Sequence, residues 1–549
     1  MPPPLLPSTP NTYLKDSSNQ VWLLGVTNAG AYTTFPVTGQ VGNSFILLND
    51  TAIAQVWKLT VQTNGALRID PATGMAQANI PVIAPNGTLF GIVVTNNAIS
   101  TVLLSQCLFS LGDAVGALAS RLYDSTNQFW PQSELILYIQ EALRTWNALT
   151  GYWRGDFTFQ AQQGTVWYDL TDSVAIPNTL RPLTLTDVAL YNIIEAHLLE
   201  PIVGAGPWTG STQFAINDIL TAVQRGRDEA LGITGCTVSH RVLPAVTGRI
   251  VLPKTVIDIR RNVYIDPQGR IHVLWKSDYQ TWLGYTPGYT TAPPGTPHTY
   301  SISAEPVFTF DVDIPPLLPA TYELLTVETG AALSVTSPSF LSVPDDWAWV
   351  IKWKALAELL GREAEPKDTI RQTYCEMRYQ QGVKLLSLAP AMLALRIGNQ
   401  PIFLDSVKSA DAYQPSWEGQ AQGTPNLGLI AGLNLIALAP PAKAGNFSVT
   451  ATVVENAPVP FLVSDCVLLT VDLVDVILDY AQHLASFKMG GEEFKETFAL
   501  YDRFIKQALL YSSKLGAQSA FHRELVAMSQ KQELHEPRYK EDEEEAPVG

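Results

Sequence analysis

Asp311 and Asp313 flank Val312 in the run Phe310-Asp311-Val312-Asp313. Strand alternation would turn both carboxylates to one face. Two carboxylates on one face can serve a glycoside hydrolase or hold a divalent cation. The competing reading is the solvated side of a strand that also carries Phe308, Phe310 and Val312. Asp345-Asp346 precedes an apolar helical stretch, where helix capping accounts for the acids. His197 shares a helical stripe with Leu190 and Ile194, which suits a core histidine better than a ligand. The seven histidines are scattered and no HExxH occurs.

Gly204-Ala205-Gly206-Pro207-Trp208-Thr209-Gly210 has the wrong last spacing for a dinucleotide fingerprint and follows a helix rather than a strand, so it reads as a turn. No glycine-rich stretch ends in Gly-Lys-Ser/Thr, and no nucleophile elbow is present. Cys107, Cys236, Cys375 and Cys466 are far apart with no CxxC pair. They read as small core hydrophobes of a protein made in a reducing compartment. The expectation is no catalytic residue, no cofactor and no metal.

The elements that would carry these residues follow from periodicity. Val21–Val26, Val56–Val61 and Leu89–Val94 each precede Asn or Gly turn residues, at offsets of 35 and 33. One hairpin cannot bury its own face, so three at a near-constant period predict a pseudo-three-fold β domain over residues 1–105, with Trp22, Trp57 and Phe90 as core. Leu135, Ile139, Leu143 and Trp146 mark a helix that ends at Gly151. Helix pairs of one design recur after Asp187, Asp345 and Asp465, each Asp placed to cap its helix. Alternating segments between 240 and 335 predict an inserted β-sandwich.

The predicted organisation is α+β and multidomain. A β domain (1–105) precedes a helical, connector-like domain with a strand pair (106–238) and the inserted sandwich (239–343). A helix hairpin (344–398), an extended or β excursion (399–460), a second hairpin (461–520) and a C-terminal arm with an acidic tail (521–549) follow. The most apolar stretch, Leu427 to Pro440, is too short for a membrane helix. The N-terminus lacks the basic region and apolar core of a signal peptide.

Charged residues make up only 16 % of the 549 residues and the net charge is −16. A chain this acidic will not hold nucleic acid or anionic lipid by general electrostatics. After Phe521 the hydrophobic periodicity fades and the chain runs into Glu541-Asp542-Glu543-Glu544-Glu545. This predicts either a solvated tail or an arm that orders on a neighbouring subunit through Leu525, Leu534 and Tyr539.

Residues 241–398 resemble virion proteins of tailed bacteriophages. The resemblance rests on Leu252-Pro253-Lys254-Thr255-Val256-Ile257-Asp258-Ile259-Arg260-Arg261, on Leu283-Gly284-Tyr285-Thr286-Pro287-Gly288-Tyr289 leading to Pro294-Gly295-Thr296-Pro297, and on Val343-Pro344-Asp345-Asp346-Trp347-Ala348-Trp349-Val350-Ile351-Lys352-Trp353. Leu118 to Tyr152, with Arg121-Leu122-Tyr123-Asp124 and Leu143-Arg144-Thr145-Trp146-Asn147, is similar to phage head-to-tail connector (neck adaptor) proteins. Together these stretches cover under half of the chain.

The resemblance implies a non-enzymatic, ring-forming adaptor of about twelve copies, built on a helical-hairpin scaffold. Such an adaptor joins the portal protein to tail or nozzle proteins and fibres, and lets DNA pass during genome ejection without binding it specifically. It implies a virion neck location after assembly in the host cytoplasm. It also implies a portal-binding arm at residues 521–549, in which Leu525, Leu534, Arg538, Tyr539 and Lys540 are the contact candidates. The alternative is a tail or fibre-associated protein that binds, or cleaves, glycans.

Overall fold

A computed structural model describes residues 13–15, 21–26, 32–37, 46–49, 56–61, 67–72, 80–83, 89–95, 98–105, 109–170, 187–198, 214–246, 249–285, 288–303, 308–334, 341–362, 368–390, 392–443, 447–463, 465–516 and 519–533. The fold is α+β. Nine strands come first: β1 (Tyr13–Lys15), β2 (Val21–Val26), β3 (Tyr32–Val37), β4 (Ile46–Asn49), β5 (Val56–Val61), β6 (Leu67–Ala72), β7 (Ile80–Ile83), β8 (Leu89–Thr95) and β9 (Ala98–Ser105).

Helices α1 (Leu111–Arg121) and α2 (Gln132–Thr150) precede strands β10 (Arg154–Ala161) and β11 (Trp167–Asp169). Next come α3 (Asp187–His197), α4 (Ile216–Thr234), β12 (Ser239–Pro244), β13 (Ile250–Val251), β14 (Val256–Ile265), β15 (Ile271–Lys276), α5 (Tyr279–Tyr285), β16 (Thr299–Ser303), β17 (Thr309–Val312) and β18 (Thr321–Glu328). The chain continues through α6 (Ala348–Leu360), α7 (Thr369–Leu388), β19 (Ala394–Ile397), β20 (Gln400–Ser406), α8 (Val407–Tyr413), β21 (Leu427–Ala431), β22 (Leu435–Ala439) and β23 (Phe447–Val454). It closes with α9 (Val471–Phe487), α10 (Gly491–Glu496), α11 (Phe498–Ser512) and α12 (Ala520–Glu533).

Two compact units form, one of residues 1–143 with 458–485, the other of 144–457 with 486–549. In the first, each front repeat is a three-stranded antiparallel sheet, one strand more than a hairpin: β1-β2-β3, β4-β5-β6 and β7-β8-β9. The sheets meet in a cycle, β1 beside β5, β4 beside β8, and β7 back beside β2. Leu59 and Ile92, three residues into β5 and β8, are fully buried. The side chains of Trp22, Trp57 and Phe90 lie outside the described residues.

The same unit holds α1, whose Ser110 and Asp113 form a reciprocal capping box. Arg121 at the other end of α1 reaches Asp475 and Asp479 of α9, at 2.7 and 2.8 Å. Cys466 is disulfide-bonded, which corrects the reading of all four cysteines as reduced core residues; its partner lies outside the described residues. Cys236 and Cys375 are buried free thiols.

The second unit contains two seven-stranded curled sheets. Sheet I runs β10-β23-β19-β20-β21-β22-β11, and sheet II runs β12-β18-β14-β15-β16-β17-β13. Counted by their own strands in chain order, both read first, seventh, third, fourth, fifth, sixth, second. In both, the fourth and fifth strands are the parallel pair. The registers coincide as well: Trp275 faces Thr299, and Phe403 faces Leu427, 128 residues further on in each case.

A short helix and a 3-10 turn bridge each parallel pair, α5 with Tyr289–Thr291 and α8 with Trp417–Gly419. The helices that lead in also match. α1 and α3 have 11 residues each, and α2 and α4 have 19 each. Both long helices end in Thr-Gly. Thr150 and Thr234 each donate to the carbonyl four residues back at 2.7 Å, and Gly151 and Gly235 adopt φ of 53° and 58° as left-handed caps.

After the front sheets, the chain carries a module of two helices, a curled sheet and closing helices twice, α6 and α7 closing one copy and α9 to α12 the other. The second copy, α3 through α7, is spliced between the second and third strands of the first copy's sheet. This corrects one expectation. Residues 239–343 carry one curled sheet around one core, formed by Ile259, Tyr264, Leu274, Tyr300, Phe310, Tyr322 and Leu324 among others, rather than a two-sheet sandwich. Residues 399–460 supply β20 to β23, which complete the sheet that β10 and β11 begin. Their core includes Phe159, Tyr168, Leu395, Ile402, Leu438 and Val449.

The expected arm at 521–549 is also corrected in part. Residues 520–533 form α12, with Phe521, Leu525 and Met528 buried and α12 packed on α7 and α11. Phe521, Leu525 and Met528 are spaced to share one helical face, so Leu525 belongs to the core. Leu534, Arg538, Tyr539 and Lys540 lie outside the described residues.

Candidate functional site

A buried group of ionisable side chains lies where sheet II rests on sheet I. Its apolar surround joins Val238 and Leu325 of the second copy to Trp417, Leu429, Leu435 and Ala437 of the first. Register shifts along β14, between Val256 and Asp258 and between Ile259 and Arg261, leave Arg261 buried while Tyr264 lies in the sheet II core. The Arg261 guanidinium donates to Asp411 at 2.8 and 3.0 Å and to Glu418 at 2.8 Å. It sits 5.0 Å from the Trp417 ring centroid, and Trp417 Nε1 donates to Asp411 at 2.8 Å.

Trp167 Nε1 lies between two carboxylates, 2.6 Å from Glu323 and 2.7 Å from Glu418. His240 Nε2 is 2.8 Å from the same Glu323 oxygen, and its ring stacks on Trp167 with centroids 5.7 Å apart. Three carboxylates thus face one permanent cation in a buried place, where an unbalanced charge is costly. Burial, with the neighbouring Glu323, pushes Glu418 up to about 8 despite Arg261. Burial also acts to raise Glu323, but hydrogen bonds from His240 and Trp167, together with Glu418, hold it at about 2. The pair shares one proton at neutral pH. These residues line neither of the two described cavities.

Asp311 lies at the corresponding place in sheet II. With the inner faces superposed through the paired strands, Arg249 and Asp311 fall where sheet I has Trp167 and Ala437, and Tyr289 falls where it has Trp417. Arg249 donates to Asp311 at 3.0 to 3.3 Å, and the Tyr289 hydroxyl lies 3.5 Å from it. Asp313 instead accepts the His298 amide at 2.9 Å. Asp311 and Asp313 therefore have separate structural partners, and the structure does not bring them together as an acid-base or metal pair.

The other flagged residues also fall inside the packing. His197 is fully buried, 3.2 Å from Lys352 Nζ and edge-on to Phe487. Asp346 caps nothing. It accepts from Asn147 Nδ2 at 2.6 Å and from the Ala457 amide at 3.1 Å, and burial raises its carboxyl to about 7. Asp465 accepts from the amides of Phe461 and Leu462, which precede it, rather than from a helix. The Gly204–Gly210 turn lies outside the described residues.

Among the described residues no group of three or more His, Cys, Asp or Glu is placed to hold a metal, and no helix is long and apolar enough to cross a membrane. An open cavity of about 430 Å³ is lined by Cys236, Ser387, Met392, Asp405 and Gly432 among others. Sequence reasoning passed over Arg261, Asp411, Glu418, Glu323 and Trp167. A signal for them existed in the repeated Gly-Thr-Pro at 295–297 and 423–425, and in Tyr285-Thr286-Pro287-Gly288-Tyr289 against Tyr413-Gln414-Pro415-Ser416-Trp417. Neither a family model nor a curated protein matches the sequence.

Proposed function

We propose that the chain is a non-enzymatic structural protein of a tailed-phage virion, a ring-forming adaptor at the head-to-tail interface that joins portal to tail and lets DNA pass. The observation that carries this reading is where the ionisable groups go. The Arg261 cluster, the Arg249–Asp311 pair and Asp346 are all committed to holding strands and helices together. That is the chemistry of a scaffold. The helix pairs written twice around curled sheets are the adaptor-like part of it, and the net charge of −16 suits a wall that DNA passes without sticking.

The test is mass photometry of the purified chain, alone and with its candidate portal ring. A discrete multi-copy complex on the portal is expected. A chain that stays monomeric with the portal refutes the reading. Portal docking by the arm is tested with a chain ending at Glu533, which keeps α12 and removes Leu534, Arg538, Tyr539 and Lys540.

The cyclic arrangement of the three front sheets favours one second reading, a tail-associated glycan-binding protein using residues 1–105. Retention of residues 1–105 on host polysaccharide would support it.

A further inference from the structure

The contact between sheets I and II uses different faces of two equivalent sheets. In sheet I, the strands of Trp167 and Ala437 and the 3-10 turn of Trp417 receive the strands contributing His240, Arg261 and Glu323 in sheet II. A head-to-tail contact of this kind leaves the complementary face unused at each end and is the geometry that builds rings or filaments. We propose that the two unused faces, one on each sheet, join successive copies of this chain, so that sheet I of one copy seats on sheet II of the next. This rests on the ring-forming reading above and names its contact surface.

Residue identities at the equivalent positions support the match. Inside the chain, Trp167 meets His240; between copies, Arg249 would meet Asp156. Arg249 is 40 % exposed by side chain and Asp156 47 %, with opposite charges. Inside the chain, Arg261 needs both Asp411 and Glu418. The positions equivalent in register are Ala394 and Thr290, both exposed, and Leu283. The cation and both of its anions are replaced together, so the trans contact would strand no charge. The rest of the sheet I face is polar: Asp156 pairs with Arg396 at 2.6 Å, and Thr158 bonds Thr450 at 3.1 Å. A polar face open to solvent fits a contact made on assembly better than a core left uncovered.

The test uses the full-length chain and reads oligomer mass against concentration by sedimentation, with thermal melting as the folding control. Ala394 is exposed, so Ala394→Arg should leave melting unchanged and raise the assembly midpoint concentration by about tenfold or more. Adding Thr290→Glu, also at an exposed position, supplies an anion for the new cation in trans and should restore part of the assembly. A second measurement reads proximity: Asp156→Cys with Arg249→Cys should give oxidative cross-links between copies, with melting checked first because the variant removes the Arg249–Asp311 and Arg396–Asp156 ion pairs. An oligomer that binds portal but ignores Ala394→Arg and forms no cross-link overturns this contact and leaves the adaptor reading intact. A chain that neither self-associates nor binds portal overturns both.

Discussion

Asn262→Leu should stabilise the protein. Asn262 is fully buried on β14, and neither its Nδ2 nor its Oδ1 has a hydrogen-bond partner among the described residues. Its neighbours across the sheet are Leu274 and Leu324, both in the sheet II core. The equivalent position in sheet I, facing Ile402 and Ala451, is Leu395, which packs in the sheet I core. An amide buried without partners costs about 1–3 kcal/mol, whereas an apolar group of the same shape escapes that cost. Leucine shares the branched skeleton of asparagine but is larger by the hydrogens of its two methyl groups, so the exchange should gain up to about 1–3 kcal/mol less the cost of fitting that extra volume.

The assay is urea unfolding followed by tryptophan fluorescence. The midpoint should rise with an unchanged slope, since the surface exposed on unfolding stays the same. The mirror substitution, Leu395→Asn, places an amide in the other core and should cost about 3 kcal/mol or more. If Asn262→Leu lowers the midpoint while Leu395→Asn leaves it alone, the equivalence of the two sheets and the reasoning built on it are wrong.

Three further outcomes are expected. Arg261→Ala leaves Asp411 and Glu418 buried without their cation and should cost about 3–5 kcal/mol; adding Asp411→Leu and Glu418→Thr, the residues at the equivalent positions, should recover most of that loss in the same urea assay. Glu418 is raised on folding, so the folded state keeps a proton that the unfolded chain releases. Its stabilising contribution is complete below about pH 4.5 and declines until about pH 8; Asp346 acts with the same sign up to about pH 7. Melting against pH should show wild type losing stability across that window relative to Glu418→Gln, and parallel curves would refute the shared proton. Truncation at Glu533 should leave melting unchanged, whereas truncation before Ala520 removes buried Phe521, Leu525 and Met528 and should cost about 3 kcal/mol or more.

Local order was readable from residue spacing alone. Val21–Val26, Val56–Val61 and Leu89–Thr95 are strands where apolar runs precede Asn and Gly residues in the sequence, and the helix ending at Gly151 stops where glycine takes a positive φ. The burial of His197 followed from its helical stripe. Those signals act over a few residues and need no knowledge of distant chain.

Pairing is different. β10 finds β23 only after an entire second module has intervened, and nothing in the alternation of Arg154–Ala161 names its partner. Asp311 could be placed on a strand from sequence, but not beside Arg249, 62 residues away. The Arg261 cluster draws on five separate segments, and its chemistry exists only because the two sheets close over it and exclude water. Sequence determined which segments curl, turn and coil; the tertiary fold decided which charges meet, because burial and proximity belong to the assembled chain.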